Sequence, residues 1–405
     1  MQGPQAQIRR ALHRFALLTA VAAFLLLGAG GLVTSHGVGM AVPDWPNTYG
    51  YNMFFFPVSR WVSGIFYEHT HRLMASLVGL LTTILAIWLH GANARPLLRW
   101  TGMGLLLLGP GVAALAPGHG ADAVVLAVTG LAAFGASLVW PQCPPAPLWL
   151  RRLGLLAFFA VVLQGLLGGL RVVLLRDQIG IFHATLAQLF FALICAIALF
   201  TSQWWLSGRA HHVAARSAAR LPLLFTLATA LILCQLVLGA TMRHQHAGLA
   251  IPDFPLAYGK LWPPTDPAAV MHYNQQRLEV TDANPITAVQ IILQMVHRVM
   301  ALLILVLVAF CAWLSRRRLG PTAVTTRLAL GWCGLILAQA LLGAATIWSN
   351  KAADVATAHV LVGALALALG VIQCIITYPL ALLAESPRDL ATDMKVENCK
   401  WQTAH

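Results

Sequence analysis

Residues 68–75 read Glu-His-Thr-His-Arg-Leu-Met-Ala, and residues 294–301 read Gln-Met-Val-His-Arg-Val-Met-Ala. The stretches align without a gap, placing His71 on His297, Arg72 on Arg298, Met74 on Met300 and Ala75 on Ala301. Each opens a long apolar run, so a histidine and an arginine sit just inside the end of a membrane helix. Ionisable groups are expensive there, and their default reading is functional. Glu68 lies three residues before His71 and shares its helix face. A carboxylate in that place can take a proton or stabilise developing positive charge. Gln294, its counterpart, can do neither at neutral pH. Arg72 stands at i+4 from Glu68, so a simple helix ion pair is the competing reading.

Two further histidines repeat in the same way. His183 follows Gln164-Gly-Leu-Leu-Gly168, and His359 follows Gln339-Ala-Leu-Leu-Gly343. Each half of the chain then holds two intramembrane histidines near the outer face, His71 with His183 and His297 with His359. Paired histidines at matched depth on facing helices are how a four-helix bundle holds a haem iron by two axial imidazoles. A zinc or non-haem iron centre wants a third ligand at helical spacing, and the second half supplies none. For any one histidine, packing against a backbone carbonyl is the ordinary alternative; four at duplicated positions argue against it. His69 points away from Glu68 on a helix and is expected to be peripheral. His36, His244, His246, His272 and the pair His211/His212 are expected in loops.

The elements that must position these groups are membrane helices. The chain is 59% hydrophobic and 10% charged, with a mean hydropathy of +0.75. That excludes a soluble domain and leaves an all-α polytopic membrane protein in a lipid bilayer. The formal charge of +13 does not indicate nucleic acid, because the basic residues cluster between apolar runs as cytoplasmic loops do. Ten runs are predicted to span, near 14–35, 66–90, 98–116, 121–140, 152–175, 179–203, 221–242, 288–314, 327–348 and 355–380. Arginine clusters at 9–14, 95–99, 151–152, 209–220 and 316–327 place both termini in the cytoplasm. The loops 36–65 and 243–286 then lie outside. They also repeat: Gly39-Met-Ala-Val-Pro-Asp-Trp-Pro-Asn-Thr-Tyr-Gly50 matches Gly248-Leu-Ala-Ile-Pro-Asp-Phe-Pro-Leu-Ala-Tyr-Gly259. Their aromatics, Trp45 and Phe254, suit interfacial lids over the bundle mouths.

The duplication predicts two pseudo-symmetric four-helix bundles. One comprises 1–95 and 146–205 and the other 206–384, with a transmembrane hairpin inserted at 96–145 and a polar cytoplasmic tail at 385–405. None of the seven cysteines falls in a predicted outer loop or a CxxC, so neither disulfide nor zinc site is expected. Arg72, Arg298, Arg171 and Arg243 fall near the outer surface, where guanidinium groups can meet carboxylates.

With the Glu-x-x-His-Arg stretch, the Pro-Asp-aromatic-Pro loops and the Gln-x-Leu-Leu-Gly segments in view, the chain resembles the haem A synthase family over about 14–380, the hairpin excepted. The resemblance implies an inner-membrane oxidoreductase that converts the C8 methyl of haem O to the formyl group of haem A, for cytochrome oxidase assembly. Carried over by position, it implies a catalytic Glu68 with His71 and His183 around the substrate haem. It also implies His297 and His359 as axial ligands of a resident haem b; by their place near the outer surface, Arg72 and Arg298 are the candidate contacts to its propionates. Haem O synthase and terminal oxidases are the implied partners, and a homo-oligomer is possible. Val42 stands where many members carry an outer-loop cysteine, and Thr34 where an arginine is usual.

A di-haem b electron carrier working with quinone is the alternative from another class. It has no need of an acid in one half only. A transporter needs helices interrupted at the midplane, and the strongest proline signals here fall in loops or in the hairpin at Pro110.

Overall fold

The computed structural model describes residues 4–115, 118–207, 220–276 and 285–378. The tail from 385 onward and the His211/His212 pair lie outside the described residues. Among the described residues ten helices are long and apolar enough to cross a membrane, and regular structure is helical throughout. In hydrocarbon a helix closes its backbone hydrogen bonds internally, which makes it the default for such runs. The helices are α1 Pro4–Ser35, α2 Ser63–Leu89, α3 Ala94–Leu115, α4 Gly120–Val139, α5 Leu148–Leu174, α6 Asp177–Thr201, α7 Leu221–His244, α8 Ala288–Leu319, α9 Val324–Trp348 and α10 Ala353–Thr377. Helix α1 begins well before the expected boundary near residue 14, because the polar segment ahead of it is helix-compatible. Thr287 and Gln290 form a capping box at the start of α8, and Arg316, Arg317 and Arg318 complement the dipole at its end.

Helices α1, α2, α5 and α6 close one ring of contacts, and α7, α8, α9 and α10 close another. The rings meet where α1 and α6 pack on α10 and where α6 packs on α7. Helices α6 and α10 are the most buried spans, with 56% and 50% of their most apolar stretch inside. The pair at the centre of the molecule therefore carries His183 and His359, one histidine of each set.

The inserted hairpin α3–α4 packs chiefly on itself. Gly102, Gly109 and Gly130 let its backbones approach closely, as small residues do between membrane helices. Its two ends are tied together at the base. Ala92 N donates to Cys143 O and Ala146 N to Leu89 O, both at 2.9 Å, and Trp140 Nε1 donates to Gly91 O at 3.1 Å. Gly91, at φ +56°, lies against the Cys143 carbonyl, leaving no room for a side chain. The insertion thus leaves and rejoins the first ring at one point. At the other end Asn52 Nδ2 donates to Asp122 Oδ1 at 2.8 Å, linking α4 to the first outer loop.

Candidate functional site

The two outer loops are built alike. Asp44 accepts from Tyr49 N at 2.8 Å and Gly50 N at 2.7 Å. Asp253 accepts from Tyr258 N at 2.7 Å and Gly259 N at 2.9 Å. Tyr49 and Tyr258 each donate a hydroxyl back to the loop, to Ala41 O and Ala250 O, both at 2.5 Å. A cis X-Pro peptide follows Trp45 in one loop and Phe254 in the other. Each loop folds over its ring, with the Trp45 indole against Gly169 of α5 and Phe254 edge-on to Trp348 at 5.9 Å. The greater length of the second loop is partly taken up by a short helix, Pro267–Gln275, whose Tyr273 stacks on Tyr258 at 3.7 Å.

Position 68/294 ties each loop to its helix. Glu68 is 4% exposed; its Oε2 accepts from Val42 N at 2.9 Å and its Oε1 from Arg72 Nη2 at 2.8 Å. Gln294 Oε1 accepts from Ile251 N, the matching loop amide, at 2.7 Å. The amide NH2 then donates to Ile251 O at 3.3 Å, a bond that in the first half Arg72 makes to Val42 O at 2.9 Å. Arg72 also donates to Asp44 O and Asn47 O, and Arg298 donates to the matching Asp253 O and Leu256 O. The helix ion pair is therefore present, but beneath the loop and not on the surface. Arg72 and Arg298 are loop clasps in both halves.

The four histidines share a second device. Each imidazole edge rests on a glycine of the neighbouring helix. A β-carbon would stand 3.0 Å from His71 Cε1 at Gly30, 3.3 Å from His183 Cε1 at Gly168, 3.3 Å from His297 Cε1 at Gly239 and 3.2 Å from His359 Cε1 at Gly343. Even a methyl group there would press on the ring, which would have to shift by a few tenths of an ångström. The Nδ1 atoms of His71, His183 and His297 are buried with no hydrogen-bond partner, whereas His359 Nδ1 has Gln339 O at 3.1 Å. His71 on α2 and His183 on α6 belong to one ring of packed helices, and His297 on α8 and His359 on α10 to the other. The sequence pairs are thus brought together within each ring. The arrangement suits two-point axial ligation; among the described residues no group of three or more His, Cys, Asp or Glu side chains could hold a metal ion.

Two histidines are placed differently from expectation. His69 is fully buried, not peripheral: its Nδ1 meets Thr48 Oγ1 at 3.1 Å, and Phe56 and Trp61 close over its ring at 5.1 Å and 4.7 Å. The folded loop covers the helix face that an isolated helix would leave outside. His244 is the last residue of α7, not a loop residue, and lies against Gly180 of α6. Beside it, Arg243 Nη2 reaches across to Gly31 O and Ser35 Oγ of α1, each at 2.5 Å. Burial and the Arg243 charge hold the nearby Lys351 amine below the usual lysine range. His246 and His272 are exposed.

The sequence reading missed Gln235 and Gly239. Gln235-Leu-Val-Leu-Gly239 is a third Gln-x-x-x-Gly segment, facing His297, and its spacing was the available signal.

A duplicated pair of membrane four-helix rings, each holding two buried histidines beneath a matched outer loop, is the class of protein these features define. The family model described as cytochrome oxidase assembly protein (COX15-CtaA) matches residues 120–371, well over half of the chain. The chain belongs to that family, as the resemblance to haem A synthases indicated. It is also 30% identical over 200 residues to the heme A synthase of Methylobacterium radiotolerans, an alignment covering 49% of this chain and 52% of that protein. The chain thus spans about half the length of this relative. The family match includes His183, His297 and His359 and begins after Glu68 and His71.

Proposed function

We propose that the chain is a haem A synthase, with haem O as substrate in the first ring and a resident haem b in the second. The observation that carries this reading is the matched set of glycine-seated histidines, with an acid beside only one pair. His71 and His183 would hold the substrate; His297 and His359 would hold haem b. When bound, haem supplies the redox chemistry. Converting a methyl to a formyl group adds oxygen and removes protons and electrons, so a base is needed near the porphyrin edge. Glu68 is the buried carboxylate available, within one turn of His71. Arg72 pairs with it and clasps the first loop, and Arg298 keeps the matching loop in place, so both would serve the bound haem through the lids. Arg171, against Gly39 of the first outer loop, and Arg243, which reaches from α7 to α1, are further guanidinium groups for porphyrin carboxylates. The proposed setting is the inner membrane with both termini cytoplasmic, where the product goes on to cytochrome oxidase assembly.

One observation favours the di-haem electron carrier instead: both Glu68 oxygens already accept hydrogen bonds. Mass analysis of the pigment extracted after co-expression with a haem O synthase separates the two. Haem O and haem A support the synthase; haem b alone supports the carrier.

A further inference from the structure

Three of the four glycines that receive an imidazole are preceded, one helical turn earlier, by a glutamine. These are Gln164 before Gly168, Gln235 before Gly239 and Gln339 before Gly343, while Gly30 is preceded by Leu26. A spacing of four puts each pair on one helix face. Gln164 Nε2 donates to His183 O at 3.0 Å and Gln235 Nε2 to His297 O at 2.9 Å. In both, the glutamine Oε1 and the facing imidazole Nδ1 are buried without partners. Two groups that could satisfy each other are thus left over on either side of the same contact. His359 meets its need differently, through Gln339 O. A carbonyl only accepts, so that ring carries its hydrogen on Nδ1 and keeps the Nε2 lone pair for a metal. His71 Nδ1 is buried and unpartnered as well, and Leu26 offers it nothing.

We propose that Gln164 and Gln235 are positioning residues, their Oε1 accepting Nδ1–H of His183 and His297 when Nε2 ligates iron, and that His71 is the unsupported axial ligand of the four. This rests on the haem reading above. An imidazole whose Nδ1–H is held by an acceptor is fixed in orientation and is a stronger donor. His71 has neither advantage, so it is the ligand that an incoming molecule displaces. His71 is on α2, three residues from Glu68. The first ring opens on the side of its acid, and the second stays closed.

The test uses the purified full-length protein with the haem it carries. On reduction, carbon monoxide should bind the first-ring haem and leave the second-ring haem unchanged. Leu26→Gln should weaken that binding about tenfold. Gln235→Leu should raise the midpoint potential of the second-ring haem, and Gln235→Glu, which offers a stronger acceptor, should lower it. A merely structural role moves both Gln235 variants the same way, and that result overturns the proposal. So does carbon monoxide binding in Leu26→Gln that equals wild type, read independently should either Gln235 variant fail to fold. Wild-type protein that purifies without any haem refutes the functional reading instead.

Discussion

Glu68→Gln separates the loop-clasp role of Glu68 from a chemical one, because the second half already shows what an amide does in that place. The substitution removes the charge-assisted bond from Arg72, worth about 1.5–3 kcal/mol. Arg72 keeps its bonds to Asp44 O, Asn47 O and Val42 O. The new amide can hold Val42 N as Gln294 holds Ile251 N, and its NH2 can reach a loop carbonyl as in the second half. The Val42 N bond is thus kept, and the new NH2 bond returns about 0.5–1.5 kcal/mol. The net loss is then on the order of 1 kcal/mol, small against the roughly 5–15 kcal/mol that holds a typical domain. The lid should stay closed, and the b-type absorbance of the second ring should be unchanged. Formation of haem A should fall by about a hundredfold or more, the usual scale for losing a positioned acid or base. Mass analysis of extracted haems after co-expression with a haem O synthase reads the outcome, with haem O or a partly oxidised haem accumulating. Wild-type haem A from the Gln variant would leave Glu68 as a clasp for Arg72 and nothing more.

Replacing His297 or His359 with Ala should each remove the b-type absorbance of the purified protein, and unchanged spectra in both would refute the ligand assignment. Gly343→Leu should act like a ligand loss without touching a ligand, since the side chain enters the space of the His359 ring; overpacking adds about 1–3 kcal/mol of destabilisation, readable as a lower melting midpoint and lost haem. Asp253→Ala should free Tyr258 N and Gly259 N, costing about 1.5–3 kcal/mol and exposing the second loop to protease while the helices stay intact. Deleting residues 92–145 should leave both rings folded, because Leu89 and Ala146 are already in contact; a shortened protein that loses second-ring haem would show that the hairpin does more than sit beside the first ring.

The helices, the duplication and the four histidines were legible because each leaves a long-range mark on the chain: apolar runs of spanning length, or motifs repeated in order. The glycine seats were half legible. Gly168 and Gly343 were visible within repeated segments, but Gly30 and Gly239 lie on helices whose facing partner only packing reveals. His69 was misplaced for a related reason. Its burial comes from Phe56 and Trp61, which reach it only once the loop has folded back. Periodicity describes one helix at a time and is blind to a lid. The pairing of Glu68 with Arg72 was legible, because i, i+4 neighbours are local. The bond of Glu68 to Val42 N, across the loop, was not local and could not be read.

Where the halves differ, they differ in a consistent direction. A duplicated scaffold drifting under packing alone should exchange apolar residues for others of similar size. Val42 against Ile251 and Trp45 against Phe254 are of that kind, but Glu68 stands against Gln294, and the buried Thr48–His69 pair stands against Ala257 and Met295. Leu26 stands against Gln235. Two of these exchanges put an ionisable group under the first lid, and the third withdraws an amide from beside His71. Burying polar groups without full satisfaction costs stability, and His69 Nε2 is such a group. The second half has Met295 in the matching place, so the fold does not require a histidine there. Buried ionisable groups around one histidine pair only fit the proposed substrate pocket beside a cofactor-holding one, and two equivalent electron-carrying haems have no need of them.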